Sequence, residues 1–385
     1  MRFPEFSGEW EKTSIGECFS KVENGLTYDT DNTSGVPVTR IETISDKSIN
    51  YDRVGYANID DKISKYEMQY GDVLFSHINS LKHIGKTAFY DAAQPLYHGM
   101  NLLLLRAKKS LDSKFLYYTL NTHKFLHRCQ VLANQAVNQA SINTKELKSI
   151  NISIPQMQEQ QKISGLISLL DERIETQKKI IEDLKRLKDA ITHSHYRNEL
   201  SHSPMAYIGQ YITQVSKRNK DARIDRVLSV SNKYGFINQD EQFEDREVAS
   251  ADTSNYKIVH KGDFAYNPAR INVGSVARLQ EFENGIVSPM YVCFTANKGL
   301  LPAYFELYLS TGIFKHEMNK RLEGSVRLCL TYESLCNIKI ALPEFNVQKD
   351  FVSKVSTILT KIRAEERLLY LYHNCKQYLL SQMFI

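Results

Sequence analysis

Two loops hold most of the side chains in this sequence that could read or bind a partner. Residues 76–83 (SHINSLKH) follow one Gly-Asp pair, and residues 267–272 (NPARIN) follow another. Asn and Arg present paired donors and acceptors that match the edges of adenine and guanine bidentately. Ser76, His77, Asn79, Lys82, Asn267, Arg270 and Asn272 are therefore candidates for contact with bases. Arg40, in 38–45, and Lys233 and Tyr234, in 229–236, hold similar places early in two halves of the chain. Lys217 and Arg218, in the basic run 216–226, suit phosphate contact, as do the cations of 106–110. Taken singly, each of these residues is better read as the polar side chain of a solvated loop.

Motifs for catalysis fail on inspection. Residues 80–87 (SLKHIGKT) end like a phosphate-binding loop, but the required first glycine is Ser80 and the following AFYD reads as strand rather than helix. Gly85 is better read as a turn glycine. Asn267-Pro268 lacks the second proline and the aromatic of an amine-methylating loop, and no glycine-rich cofactor loop precedes it. The histidines form no HExxH, and no nuclease carboxylate cluster stands out. The sequence gives no support for catalysis, for a metal, or for a cofactor held by this chain.

The composition sets wide bounds. With 385 residues, 42% hydrophobic and 24% charged, the chain reads as a soluble protein of two or three domains. Six cysteines without a CxxC pair fit reduced thiols in a cytoplasm better than a disulfide framework. No apolar run is long enough for a membrane span, and the first residues do not read as a signal peptide. A net charge of +5 permits a polyanionic partner without requiring one.

What positions the loops is a duplication. IGECFSKV (15–22) matches IGQYITQV (208–215); YGDVLFS (70–76) matches KGDFAYN (261–267); IGKTA (84–88) matches VGSVA (273–277). KFLYYTLNTHKF (114–125) matches AYFELYLSTGIF (303–314), and INTKELKSINISIP (142–155) matches LTYESLCNIKIALP (330–343). The offsets are 193, 191, 189, 189 and 188, so order is kept throughout. Each repeated domain mixes short strand-like runs with one helix near 114–128 or 303–322, which reads as α+β.

Each repeat closes on a long amphipathic segment. Residues 154–174 and 342–362 share only Pro155/Pro343, Gln160/Gln348, Ser168/Ser356 and Ile174/Ile362, yet keep most apolar positions. Alternating steps of four and three trace a heptad seam through Ile163, Ile167, Leu170, Ile174, Ile181 and Leu184. A second runs through Phe351, Val355, Ile358, Ile362, Leu369 and Tyr372. The polar interruptions coincide, Gln177 with Glu365 and Lys188 with Lys376. Residues 156–197 would span about 60 Å at ~1.5 Å per residue, so such a helix needs a partner along its length. The expectation is an antiparallel helix pair with pseudo-twofold symmetry. At ~3.4 Å per base pair, it would hold two readers no more than about 17 base pairs apart.

The tandem layout, the two Gly-Asp strands (Gly71-Asp72, Gly262-Asp263) and the two proline-to-glutamine helix starts (Pro155, Gln160; Pro343, Gln348) resemble the specificity subunit of a type I restriction–modification system. The resemblance covers nearly the whole chain. It implies two target recognition domains (1–155 and 201–343) joined by a central helical spacer (156–200) and a distal one (344–385) that form an antiparallel coiled coil. It also implies a non-catalytic, cytoplasmic subunit of host defence that reads a bipartite, asymmetric sequence in double-stranded DNA. Two methyltransferase subunits, with S-adenosylmethionine, and restriction subunits, with ATP and magnesium, would be its partners. One departure concerns the turn before the last strand of each domain: 323–327 keeps a Gly-Ser turn (EGSVR), whereas 134–139 reads NQAVNQ. The alternative expectation is a duplicated coiled-coil scaffold that binds only protein in another defence complex.

Overall fold

The computed structural model describes residues 1–385 except 30, 46–47, 59–62, 137–138, 240–251, 325–327 and 385. The chain divides into two compact units, Met1–Lys178 with Arg367–Ile385, and Lys179–Glu366. Each unit holds an α+β domain together with parts of two long helices, Met157–His202 and Phe345–Met383.

In the first unit a four-stranded antiparallel sheet has the order Phe19–Asn24, Leu103–Ala107, Val73–Phe75, Thr87–Phe89. In the second unit the order is Ile212–Val215, Val292–Ala296, Phe264–Tyr266, Val276–Arg278, again antiparallel throughout. Apart from Leu103–Ala107 and Val292–Ala296, these strands fall on or overlap the repeated sequence blocks, so the duplication extends to sheet topology. A two-stranded pair closes each domain onto its helix: Glu11–Ser14 with Asn151–Ile154, and Met205–Tyr207 with Lys339–Ala341.

The repeated Gly-Asp pair is a turn built for the strand that follows. Gly71 and Gly262 have φ of +92° and +98°, a region that side chains with a Cβ rarely adopt. The Asp72 carboxylate accepts from the Gln69 amide at 2.7 Å, and the Asp263 carboxylate accepts from the His260 amide at 2.8 Å. The halves differ in what else the aspartate holds. Asp72 takes a bidentate pair from Arg106 at 2.7 Å on both oxygens, and the position matching Arg106 is Thr295. The cation expected to face phosphate is therefore occupied within the fold.

A second difference from expectation concerns the domain helix. The first repeat has two helices, Ser113–Leu120 and His123–Leu132, and the second has Pro302–Leu309 and Gly312–Asn319. The break lies at a threonine in each. Thr122 Oγ1 accepts from the Phe125 amide, and Thr311 Oγ1 accepts from the Phe314 amide at 3.1 Å. A hydroxyl that satisfies an orphan amide starts a new helix where the apolar period alone reads as continuous.

The halves diverge most between the shared strands. The second unit adds a four-stranded sheet, Gly235–Asn238, Val227–Ser231, Asn284–Val287, Lys257–His260, whose core around Leu228, Val259 and Val287 also takes in Ala265 and Cys293 of the shared sheet. The first unit has two small two-stranded pairs there instead, Val36–Val38 with Gly55–Ala57 and Ile44–Ser45 with Ser48–Ile49. Either side of residues 137–138, the strands Asn134–Ala136 and Gln139–Ser141 pair antiparallel, and the second also pairs with Ile78–Asn79. The Glu323–Cys329 bridge stands at the matching place.

Candidate nucleic-acid interface

The seam residues are all turned inward to some degree. Ile163, Ile167, Ile174, Ile181, Phe351, Val355 and Ile362 are buried; Leu170, Leu184, Ile358, Leu369 and Tyr372 are half-buried. Within the first unit, Ile163 and Ile167 share one hydrophobic core with Leu380 and Met383, and Lys376 Nζ donates to Asp171. Tyr118 joins that pair, donating to Asp171 at 2.8 Å, and the Lys376 ammonium lies over its ring. Within the second unit, Lys185 pairs with Glu366 at 2.6 Å and His195 stacks on Phe351 with centroids 3.7 Å apart. One helix advances by ten residues as the other recedes by fifteen, so the segments run antiparallel.

Each long helix is also sewn to its domain by the repeated glutamine. Gln160, 2% exposed, donates to Pro155 O at 2.8 Å and accepts from the Asp112 amide at 2.9 Å. Gln348, fully buried, donates to Pro343 O at 2.9 Å and Gly299 O at 2.8 Å, and accepts from the Leu301 amide at 2.9 Å. Asp112 and Leu301 are the residues that open the first domain helix of each repeat. The sequence pointed to these glutamines only as helix-start signals. Their identity across two otherwise diverged helices was the available sign of a buried polar role.

The candidate reading residues separate into inward and outward sets. In the first unit Ser76 is 2% and His77 7% exposed. Asn79 Nδ2 donates to Ser76 Oγ at 3.3 Å, while Asn79 Oδ1 accepts from the Ser80 amide at 2.8 Å. His77 Nε2 lies 3.4 Å from Asn24 Nδ2, and burial pushes its pKa down, which favours the neutral ring. Gly85, at φ +82°, returns its amide to Ser76 O and closes this loop. The Lys82 side chain lies outside the described ones. Arg40 stands apart from that group, with Nε donating to Tyr28 Oη at 3.3 Å.

In the second unit Asn267 is buried, and its side-chain oxygen accepts from the Ala269 amide at 3.1 Å. Arg270 is exposed and Asn272 half-buried on the short turn that follows. The hairpin between Val227–Ser231 and Gly235–Asn238 meets this loop: Ser275 Oγ donates to Val230 O at 3.2 Å, and Gly274 packs near Asn232. The structure thus brings Lys233, Tyr234, Arg270 and Asn272 to neighbouring loops. Tyr234 is 68% exposed, and Lys233 lies over its ring, 5.0 Å from the centroid. A hydrogen bond to Tyr234 raises the Lys233 pKa and favours its charged form. Lys217 and Arg218 are exposed beside Lys257–His260, the strand at the other edge of the added sheet; Arg218 donates to Asn255 at 2.7 Å. Four strands at ~4.8 Å spacing separate these edges by about 14 Å.

This geometry offers hydrogen bonding, stacking and charge on loops held by rigid strands. Among the described residues no three His, Cys, Asp or Glu gather as a metal site, and no helix is long and apolar enough to cross a membrane.

A tandem pair of α+β domains, each ending on one of two long helices, is the architecture of a type I specificity subunit. The S subunit of the type I restriction–modification system from M. genitalium shares the fold over 100% of this chain and 99% of its own, with a TM-score of 0.59 at 16% identity. A chain from work on complex assembly and conformational transition of the type I R-M system matches over 98% of each, with a TM-score of 0.56 at 13% identity. Residues 7–186 match the type I restriction modification DNA specificity domain. A protein of Methanocaldococcus jannaschii, described as a type I restriction enzyme MjaX specificity subunit, is 41% identical over 189 residues. That match takes in 48% of this chain and 44% of the relative, so it spans less than half the relative's length. Residues 7–186 are thus similar to type I restriction–modification DNA specificity domains, and the fold of the whole chain is the one seen in the type I S subunit from M. genitalium.

Proposed function

We infer that this chain is the non-catalytic DNA-recognition subunit of a type I restriction–modification complex. Its two domains, 1–155 and 201–343, read the two parts of an asymmetric target in double-stranded DNA, and the helical regions 156–200 and 344–385 set the gap between them. The observation that carries this reading is the pairing of one repeated four-stranded sheet with unlike loops in the two halves. A shared frame with divergent tips suits two half-sites of different sequence.

The exposed tips are the direct readers in this proposal. Tyr234 and Lys233 supply stacking and charge, Arg270 and Asn272 supply base-edge contacts, and Lys217 and Arg218 hold phosphate. In the first domain Asn79, Lys82 and Arg40 contact DNA, while the buried Ser76 and His77, like Asn267 in the second, shape their loops. The helices also dock two methyltransferase subunits, which bring S-adenosylmethionine and methylate adenine. Restriction subunits, with ATP and magnesium, join that core in the cytoplasm.

The test is a genome-wide map of N6-methyladenine in the native host with and without the gene. Loss of methylation at one bipartite motif on deletion is the expected result, and it supplies both half-sites and the gap. An unchanged map in cells that express the protein refutes the reading.

A further inference from the structure

The repeated glutamines join two parts whose relation a bipartite reader must hold constant. One part is the long helix on which Gln160 or Gln348 sits. The other is the loop that opens the first domain helix: the Asp112 amide in one repeat, and Gly299 O with the Leu301 amide in the other. Both side chains are at most 2% exposed, and both bond only to backbone atoms. Around them the packing differs between repeats. Phe384 stacks on Phe115 at 5.1 Å where Tyr196 meets Tyr304 at 4.9 Å. Arg2 makes a bidentate pair with buried Glu159, whereas the matching Val347 is exposed. The glutamine bridge is thus common to both halves while its surroundings have diverged.

We propose that Gln160 and Gln348 are positioning residues that lock each recognition domain onto its helix and thereby enforce the length of the gap. The proposal rests on the function inferred above. To read a site whose gap is one base pair too long or too short, a domain must shift on its helix. That shift breaks one hydrogen bond at Gln160 and two at Gln348, because the bonds to Pro155 O and Pro343 O stay within each helix's own start. Buried amides left unpaired make the shift costly. A side chain without these bonds removes that part of the cost from off-gap binding while leaving base-reading loops untouched.

The experiment is an N6-methyladenine map of the native host carrying Gln160→Met or Gln348→Met at the chromosomal gene. In either variant, methylation at sites with the correct half-sites but a gap altered by one base pair is expected to rise about 10-fold relative to on-gap sites. Leu335→Ala, which opens the second domain's core from the short helix Tyr332–Cys336 and removes no bond of the bridge, serves as the matched destabilised control, and its off-gap ratio is expected to stay at the wild-type value. Gln160→Asn and Gln348→Asn keep the amide but fall one methylene short, and they carry the test if the methionine variants do not fold. An unchanged off-gap ratio in folded variants that still methylate on-gap sites overturns the proposal and spares the functional reading. A rise of the same size in Leu335→Ala also overturns it. Absence of any bipartite methylation in the wild type overturns both.

Discussion

Replacing the aspartate of the Gly-Asp turn should cost the two halves unequally, although the turn is repeated. In the first half the Asp72 carboxylate is 1% exposed and takes two guanidinium hydrogen bonds from Arg106, whose side chain is 20% exposed, besides the Gln69 amide. Removing one partner of a buried ion pair costs about 3–5 kcal/mol. Arg106 can recover water through its exposed fifth and already reaches Glu67 O at 3.3 Å, so Asp72→Ala belongs at the low end, ~3 kcal/mol. Asp263→Ala loses the His260 amide bond, worth about 1 kcal/mol. Trp10, the only tryptophan of the chain, lies in the first unit with its ring centroid 5.9 Å from Phe115. Its fluorescence during urea unfolding therefore follows that unit. With a slope of ~2 kcal/mol per molar urea, Asp72→Ala should lower the Trp10 midpoint by about 1.5 M. Asp263→Ala, in the other unit, should leave that midpoint in place. The double variant with Arg106→Ala should unfold little earlier than Asp72→Ala, since both remove the same pair. A shift below about 0.3 M, or additive effects in the double variant, would refute this account of the turn.

Other outcomes follow from the same contacts. Burial drives the His98 pKa down to about 4, against an ordinary value of 6.5, and its ring nitrogen Nε2 bonds to Leu102 O at 3.0 Å. The unfolded chain takes up this proton first, so stability should be full above about pH 6.5 and fall as the pH drops toward 4. The Trp10 midpoint measured between those values should show less acid sensitivity in His98→Gln, by up to ~1.4 kcal/mol per pH unit. A methyl group at Gly99 would stand 2.2 Å from Thr39 O, so Gly99→Ala should lower the same midpoint by an amount equal to about 2 kcal/mol or more. Tyr234→Ala should weaken binding of the assembled complex to its specific site about 10-fold and relax only the second half-site, as read by competition with altered duplexes. Lys217→Ala and Arg218→Ala should weaken binding to all sequences alike and each lower the salt slope by about one, measured by titration at several salt concentrations.

The strands and seams were legible in the sequence because burial imposes a period on residue type. Val73–Phe75 and Phe264–Tyr266 lie on the aligned blocks, and no seam residue ended exposed. Helix breaks at Thr122 and Thr311 were harder to read. Their signal is a single hydroxyl in an apolar pattern that continues past it. The loops posed the opposite difficulty. Asn, His and Arg suit a base edge, and they equally suit the inside of a turn. Asn267 caps its own loop, whereas Arg270, three residues on, faces solvent. Composition cannot separate those cases, because the backbone path decides which way each side chain points.

The identities between residues 154–174 and 342–362 have a physical explanation for three of their four members. Pro155 and Pro343 fix the backbone φ two residues ahead of each long helix, and Gln160 and Gln348 bond only to backbone atoms, the proline carbonyls among them. Asp112 and Leu301 are unlike residues, yet each presents the same N–H, so their side chains can differ without disturbing the bridge. Ile174 and Ile362 are 4% and 5% exposed, and a seam position of that depth tolerates little change in volume. Ser168 and Ser356 do not fit this account. Ser168 lies 3.1 Å from the Tyr118 hydroxyl, but Ser356 donates to Ser353 O, and the residue matching Tyr118 is Leu307. An identical side chain thus serves different neighbours, while unlike side chains at 112 and 301 serve the same bridge. Bonds to backbone persist in a duplicated fold because divergence cannot remove the partner, and this is why the bridge survives in both halves while the contacts around it have changed.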